Sequence, residues 1–279
     1  MTYAVVTDST ADLPPPLARA WGIEVMPAVI VLAGQERRDG LDLSRERFYR
    51  DLPNFHPPPT TAAPASGEFE ALYRRLLEAG AQGVLSIHCA ATLSGLYNAA
   101  RVGAQPFGSR VVVVDSGQLS LGVGFQALAA ARAAAQGAPL EEILARVAGV
   151  RQRVRVVAML DTLEYLRRSG RVSWARAGLG ALLSLKPFVE VRAGEVLSLP
   201  PVRTRRKGLA RLRQKLADLG PLEALALLHT GRPEQALALA QDLPNAPPEP
   251  PLLVPVTPVI GAHVGPNGVG FAAVVAEPA

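Results

Sequence analysis

The sequence predicts an α/β protein: an N-terminal, mostly parallel sheet with helices on both faces, followed by a smaller C-terminal α+β part. Three observations carry this. Short apolar runs alternate with helix-length segments through the first half, the pattern of parallel strands joined by crossover helices. Apolar residues make up 49% of the 279 positions while aromatics make up 5%, so Ala, Leu and Val must build the core or line an aliphatic cavity. In the second half a hairpin pattern mixes with helices, which suits antiparallel pairing.

In chain order, Ala4–Thr7 reads as a buried strand ending at Asp8-Ser9-Thr10, and residues 23–32 as a strand pair or one long strand. Pro57-Pro58-Pro59 stiffens the approach to Thr60-Thr61 and points to an ordered loop. Val84–His88 and Val111–Val114 are further buried strands, apolar nearly throughout. Helices are expected at Phe69–Glu78, Tyr97–Gly103, Leu121–Ala135 and Leu140–Val150. Then Pro187–Val191, the turn Ala193-Gly194 and Val196–Leu199 read as a hairpin. A helix at Lys207–Leu219, a strand at Ala224–Leu228, a helix at Pro233–Asp242 and strands at Leu252–Pro255 and Gly270–Val275 complete the chain. A boundary near residue 160 divides it into 1–160 and 161–279.

Several function classes drop out. Cys89 is the lone cysteine, which excludes an internal disulfide and a cysteine-rich zinc site. No basic segment followed by an apolar one opens the chain, so no signal peptide is expected. The long uncharged stretch 250–276 is broken by prolines and glycines and reads as strands and turns rather than a membrane span. The expected location is cytoplasmic. The net charge is +5, with arginine far exceeding Lys186, Lys207 and Lys215. The basic runs Arg146–Arg176 and Arg203–Lys215 read as solvated helix faces, and no nucleic-acid partner is expected.

Three strands run into small polar clusters: Asp8-Ser9-Thr10, Thr92-Leu93-Ser94-Gly95 and Asp115-Ser116-Gly117. In an open parallel sheet, ligands bind beyond the carboxyl ends of the strands, where helix N-termini offer free N–H groups to an anion. Ser9, Thr10 and Ser116 are therefore candidates for a polar rim, against the alternative that they only cap helices. His263 lies in Gly261-Ala262-His263-Val264-Gly265-Pro266, where flanking glycines would let backbone or ligand approach closely. A Ser-His-Asp hydrolase built from Ser94, His263 and Asp8 or Asp115 is the competing arrangement. Ser94 lacks the G-x-S-x-G elbow, and no lysine completes a P-loop at Gly261–Gly270. His88-Cys89 has no second ligand pair, so no metal is expected.

Taken in order, these segments resemble the DegV family of bacterial fatty-acid-binding proteins from end to end. The match runs through Val6-Thr7-Asp8-Ser9-Thr10-Ala11-Asp12-Leu13, Thr61…Pro64…Gly67-Glu68-Phe69, Leu93-Ser94-Gly95…Tyr97-Asn98 and Val114-Asp115-Ser116. It continues with Leu163-Glu164-Tyr165-Leu166…Gly170-Arg171-Val172, Leu185-Lys186-Pro187, Val202-Arg203-Thr204-Arg205 and Ile260–Pro266. The resemblance implies an apolar tunnel between the two parts, holding a long-chain fatty acid such as palmitate, stearate or oleate. It places the carboxylate on Thr61, Ser94 and His263, with Arg171 on the rim. It further implies no catalytic residue and no cofactor, and a separate fatty acid kinase that would phosphorylate the bound acid. That kinase would dock on Arg203, Arg205 and Arg206, next to which the sequence offers few acids. The chain departs from the family where serines are expected: Ala62 and Ala65 stand in the Thr61 loop, and Ala90 and Ala91 precede Leu93.

Burying about 14 methylenes at roughly 0.8 kcal/mol each gives on the order of 11 kcal/mol of gross stabilisation, offset in part by lost freedom. A carboxylate beside His263 would favour the imidazolium. The alternative function is an acyl hydrolase or a small-molecule enzyme resembling dihydroxyacetone kinases.

Overall fold

The structure, a computed structural model, describes residues 3–172 and 185–277. Arg176, the end of the first basic run, lies outside the described residues. The strands are β1 Tyr3–Asp8, β2 Ile23–Met26, β3 Val29–Leu32, β4 Gln35–Arg38, β5 Thr60–Ala62, β6 Gly83–His88 and β7 Val111–Asp115. They continue with β8 Val154–Met159, β9 Lys186–Arg192, β10 Glu195–Val202, β11 Leu222–His229, β12 Leu252–Pro255 and β13 Val269–Val275.

The expected fold class is observed. A four-stranded sheet, ordered β2-β1-β6-β7, is parallel throughout. Its inner strand β6 is buried at every residue, with Ser86 and His88 its polar members, as a mostly apolar strand covered on both faces is. A six-stranded sheet, ordered β10-β9-β8-β13-β11-β12, is antiparallel except for its last pair. The Leu121–Ala135 helix lies between the two sheets, with contacts to β1 and β6 on one side and β8 and β13 on the other. That position explains why its Ala-rich sequence is buried almost all round.

Residues 23–32 form two strands in different sheets. β2 pairs with β1, whereas β3 pairs antiparallel with β4 and β5 in a small third sheet. Pro27 separates them, having no N–H to extend the ladder, and Ala28 gives its N–H to Ser9 Oγ at 3.1 Å. The loop expected at Thr60-Thr61 is strand β5, with Thr61 opposite Ile30. In the stretch 250–276, read as strands and turns, residues Pro258–Val264 form a helix. The helix expected at Pro233–Asp242 stops at Leu237; Asp242 has φ +50°, and Pro244 disfavours helix in the residue before it.

The β9–β10 hairpin docks onto the parallel sheet. At its tip, Gly194 (φ +83°) donates its N–H to Gly117 O at 2.8 Å and accepts from Thr92 Oγ1 through its carbonyl. No helix among the described residues is long and apolar enough to cross a membrane.

Candidate functional site

Where the carboxyl ends of β1 and β6 face the six-stranded sheet, the molecule encloses a cavity of about 660 Å³, within the range of roughly 300–1,000 Å³ usual for small-molecule sites. Its aliphatic wall is Val156 and Ala158 from β8, Val189 and Val191 from β9, and Val196 from β10. Along each strand these alternate with residues of the opposite face, as the pleat requires.

Thr61, Ser94 and His263 line this one cavity. Strand β5 presents Thr61, the turn before the Leu96–Ala104 helix carries Ser94, and the Pro258–Val264 helix carries His263. Thr61 Oγ1 and His263 Nε2 are hydrogen-bonded at 2.9 Å across 202 positions of sequence. Ser94 Oγ accepts from Leu96 N at 3.3 Å. Burial first, and the positive charge of Arg171 second, push His263 down to about 4. The imidazole is thus held neutral at pH 7, and the positive charge at this end of the cavity is carried by Arg171.

The glycines around His263 make room for tyrosine rings. A Cβ at Gly261 would lie 2.5 Å from the Tyr49 hydroxyl, and one at Gly265 (φ +80°) would run into the Tyr165 ring. Tyr49 in turn donates to Val256 O at 2.8 Å. The helix bearing His263 is wedged between two aromatic side chains.

Its N-terminus is tied to the rest of the molecule. Thr257 N donates to Asp12 Oδ1 at 2.7 Å, and Thr257 Oγ1 donates to Asp39 Oδ2. Asp12 also accepts from Ser120 Oγ at 2.7 Å and pairs with Arg45 at 3.2 Å. Burial pushes Asp12 up to about 7 and raises Asp39 as well. This buried knot joins the end of β1, the small sheet, the Arg45–Asp51 helix and the His263 helix. No local sequence signal marks it, because its members are scattered along the chain.

Of the rim candidates, Thr10 and Arg171 line the cavity, whereas Ser9 and Ser116 do not. Thr10 Oγ1 donates to Asp8. Ser9 bonds Ala28 N and Asp39, and Ser116 Oγ accepts from Gln118 N at 3.1 Å. Arg171 is exposed and donates to Ser169 O at 2.7 Å. Arg203 and Arg206 are exposed. Arg205 is turned inward instead, to Gln235 at 2.5 Å and Asp161 at 3.7 Å.

The hydrolase arrangement does not form around His263. Asp8 accepts from His88 Nδ1 at 2.8 Å, and Asp115 accepts from Gly117 N at 2.9 Å. His88 continues to Ser86 at 2.6 Å and Tyr73 closes the chain at 2.8 Å from Ser86. Asp8, His88 and Ser86 have no exposure and do not line the cavity. Among the described residues, no group of His, Cys, Asp and Glu is placed to hold a metal.

Ala65, where a family serine is expected, is the N-cap of the Ser66–Glu78 helix. Its N–H goes to Glu68 Oε1 at 3.1 Å, half of a capping box. Ala62 and Ala91 line the cavity, and Ala90 is fully buried.

Residues 2–276 match the family model described as "Uncharacterised protein, DegV family". A DegV domain-containing protein of Mycobacterium tuberculosis is 37% identical over 277 residues, 97% of this chain and 96% of that one. Among solved structures, a DegV family protein from Thermus thermophilus, described by its fatty acid binding, superposes with a TM-score of 0.89 at 33% identity, over 99% of this chain and 100% of that one. DegV of Bacillus subtilis, described as a fatty acid binding protein, superposes with a TM-score of 0.88 at 30% identity, over 99% and 100%.

Proposed function

This chain belongs to the DegV family, and from that premise we propose that it binds one long-chain fatty acid, carboxylate at Thr61, Ser94, His263 and Arg171, acyl chain along the valine wall. The observation that carries this is the Thr61–His263 pair standing in a cavity that also has the aliphatic wall of β8, β9 and β10. With the pair intact, Thr61 and His263 together turn one donor toward a carboxylate, the Ser94 hydroxyl offers a second, and Arg171 supplies charge. The tunnel would lie between an N-terminal part, residues 1–160, and a C-terminal part, residues 161–279. Chain burial supplies most of the affinity; the head-group bonds, about 1.5–3 kcal/mol each when charge-assisted, supply orientation.

In this reading the protein is a cytoplasmic carrier rather than an enzyme, and it presents the acid to a separate kinase that makes an acyl phosphate. Arg203 and Arg206 are free to meet such a partner, while Arg205 is committed to Asp161 and Gln235. Mass spectrometry of an organic extract of the purified protein tests the ligand: a C16–C18 acid near one per chain is expected, and neither extracted lipid nor uptake of added palmitate or oleate would overturn the reading. Thr61→Val and His263→Ala each weaken binding by about 1–3 kcal/mol. Unchanged affinity in both, and in Ser94→Ala, would put the carboxylate elsewhere. For the kinase, Arg203→Glu with Arg206→Glu should abolish partner-dependent phosphorylation and leave fatty-acid binding intact.

A further inference from the structure

The cavity has a second polar place, on the strand that does not carry the head-group residues. His229 ends β11, and Thr230 follows it; both line the cavity, 8% and 3% exposed. Gly231 N donates to His229 Nδ1 at 3.3 Å. The ring is neutral, since burial lowers its pKa from the ordinary value despite the opposing charge of Glu234. Its one proton therefore sits on Nε2. Among the described residues no group accepts from Nε2. Thr230 Oγ1 accepts from Gly268 N at 2.6 Å, which leaves its own O–H free to donate. The close approach depends on Gly268, where a Cβ would lie 3.0 Å from Thr230 Oγ1.

Two neighbouring side chains thus offer two unmet donors to a largely apolar space. A plain methylene chain lying against them would leave both buried donors without a partner, which costs binding free energy. A carboxylate does not suit a place that feels the negative charge of Glu234. A neutral oxygen does.

Resting on the fatty-acid reading, we propose that His229 and Thr230 take a neutral oxygen carried along the acyl chain, so that the preferred ligand class is hydroxy- or oxo-substituted long-chain fatty acids.

The test compares dissociation constants of stearate with those of 3-, 10- and 12-hydroxystearate and 12-oxostearate, for the parent protein, His229→Phe, His229→Gln and Thr230→Val. At least one substituted acid should bind the parent about tenfold more tightly than stearate, a difference of about 1.4 kcal/mol. His229→Phe and Thr230→Val should lose that preference while still binding stearate. His229→Gln, which returns an N–H, should restore it. If stearate binds the parent at least as tightly as every substituted acid, the proposal is overturned and the two donors serve ordered water. A preference that survives both His229→Phe and Thr230→Val overturns it as well. Failure of every acid to bind the parent overturns the fatty-acid reading itself.

Discussion

His263 shows how much a single side chain depends on its surroundings. Its ring stands at about 4 in the folded protein against an ordinary 6.5. Between these values the unfolded chain takes up a proton that the folded protein refuses, so this residue's contribution to stability is lost as pH falls through that window. His263→Gln removes the contribution. Relative to the parent, the variant should gain stability on acidification, read as urea midpoints at about pH 7 and about pH 4.5. A bound carboxylate works against the depression, so NMR titration should find the ring's pKa higher once the fatty acid is added. The sequence singled out His263 through its glycines, but the reason was different from the one expected. The space at Gly261 and Gly265 belongs to Tyr49 and Tyr165, and no spacing rule connects position 49 to 261. Thr61 became visible through the family resemblance alone, because a three-residue strand carries no periodicity of its own.

At the scale of elements, the His263 helix and the Ser66–Glu78 helix invite opposite substitutions. Gly261→Ala forces a methyl against the buried Tyr49 ring and should destabilise by about 1–3 kcal/mol, with a loss of ligand affinity as the helix shifts. Ala65→Ser places a hydroxyl at an extended N-cap (φ −63°, ψ 146°) that has no side-chain cap. It should stabilise by about 1 kcal/mol, seen as a raised denaturation midpoint with ligand affinity unchanged. The missing serine at position 65 is on this account a matter of helix capping rather than of ligand contact. The long elements were legible because their patterns are long: β1, β6, β7 and the Leu121–Ala135 helix lie within a few residues of their expected bounds. The Pro258–Val264 helix was hidden among the prolines of 250–276, although Pro at its first position and Gly265 after its last are ordinary helix signals.

For the molecule as a whole, the knot of Asp12, Asp39, Arg45 and Thr257 ties the His263 end of the cavity to the parallel sheet through Asp12 and to the six-stranded sheet through Arg45, which donates to Pro255 O of β12. Thr257→Val removes the hydroxyl that Asp39 accepts from at Oδ2, and among the described residues Asp39 Oδ1 has no partner. The variant should lose about 1–3 kcal/mol of stability and bind ligand more weakly, with both changes read on the same sample. The architecture of alternating strands and helices followed by a hairpin was legible in composition and order. The knot was not, since buried carboxylates look like any others until the fold brings them together. That long reach also governs when the site comes into being. Thr61 and His263 meet across 202 positions, and the strand closing the second sheet, β13, is the last in the chain. Loop closures of this span are made late in folding and slow it. On a ribosome, the nascent chain would carry its complete parallel sheet well before the head-group pair could form. On the proposed function, lipid would then be loaded after synthesis, and free fatty acid should leave early folding rates unchanged while slowing unfolding of the finished protein.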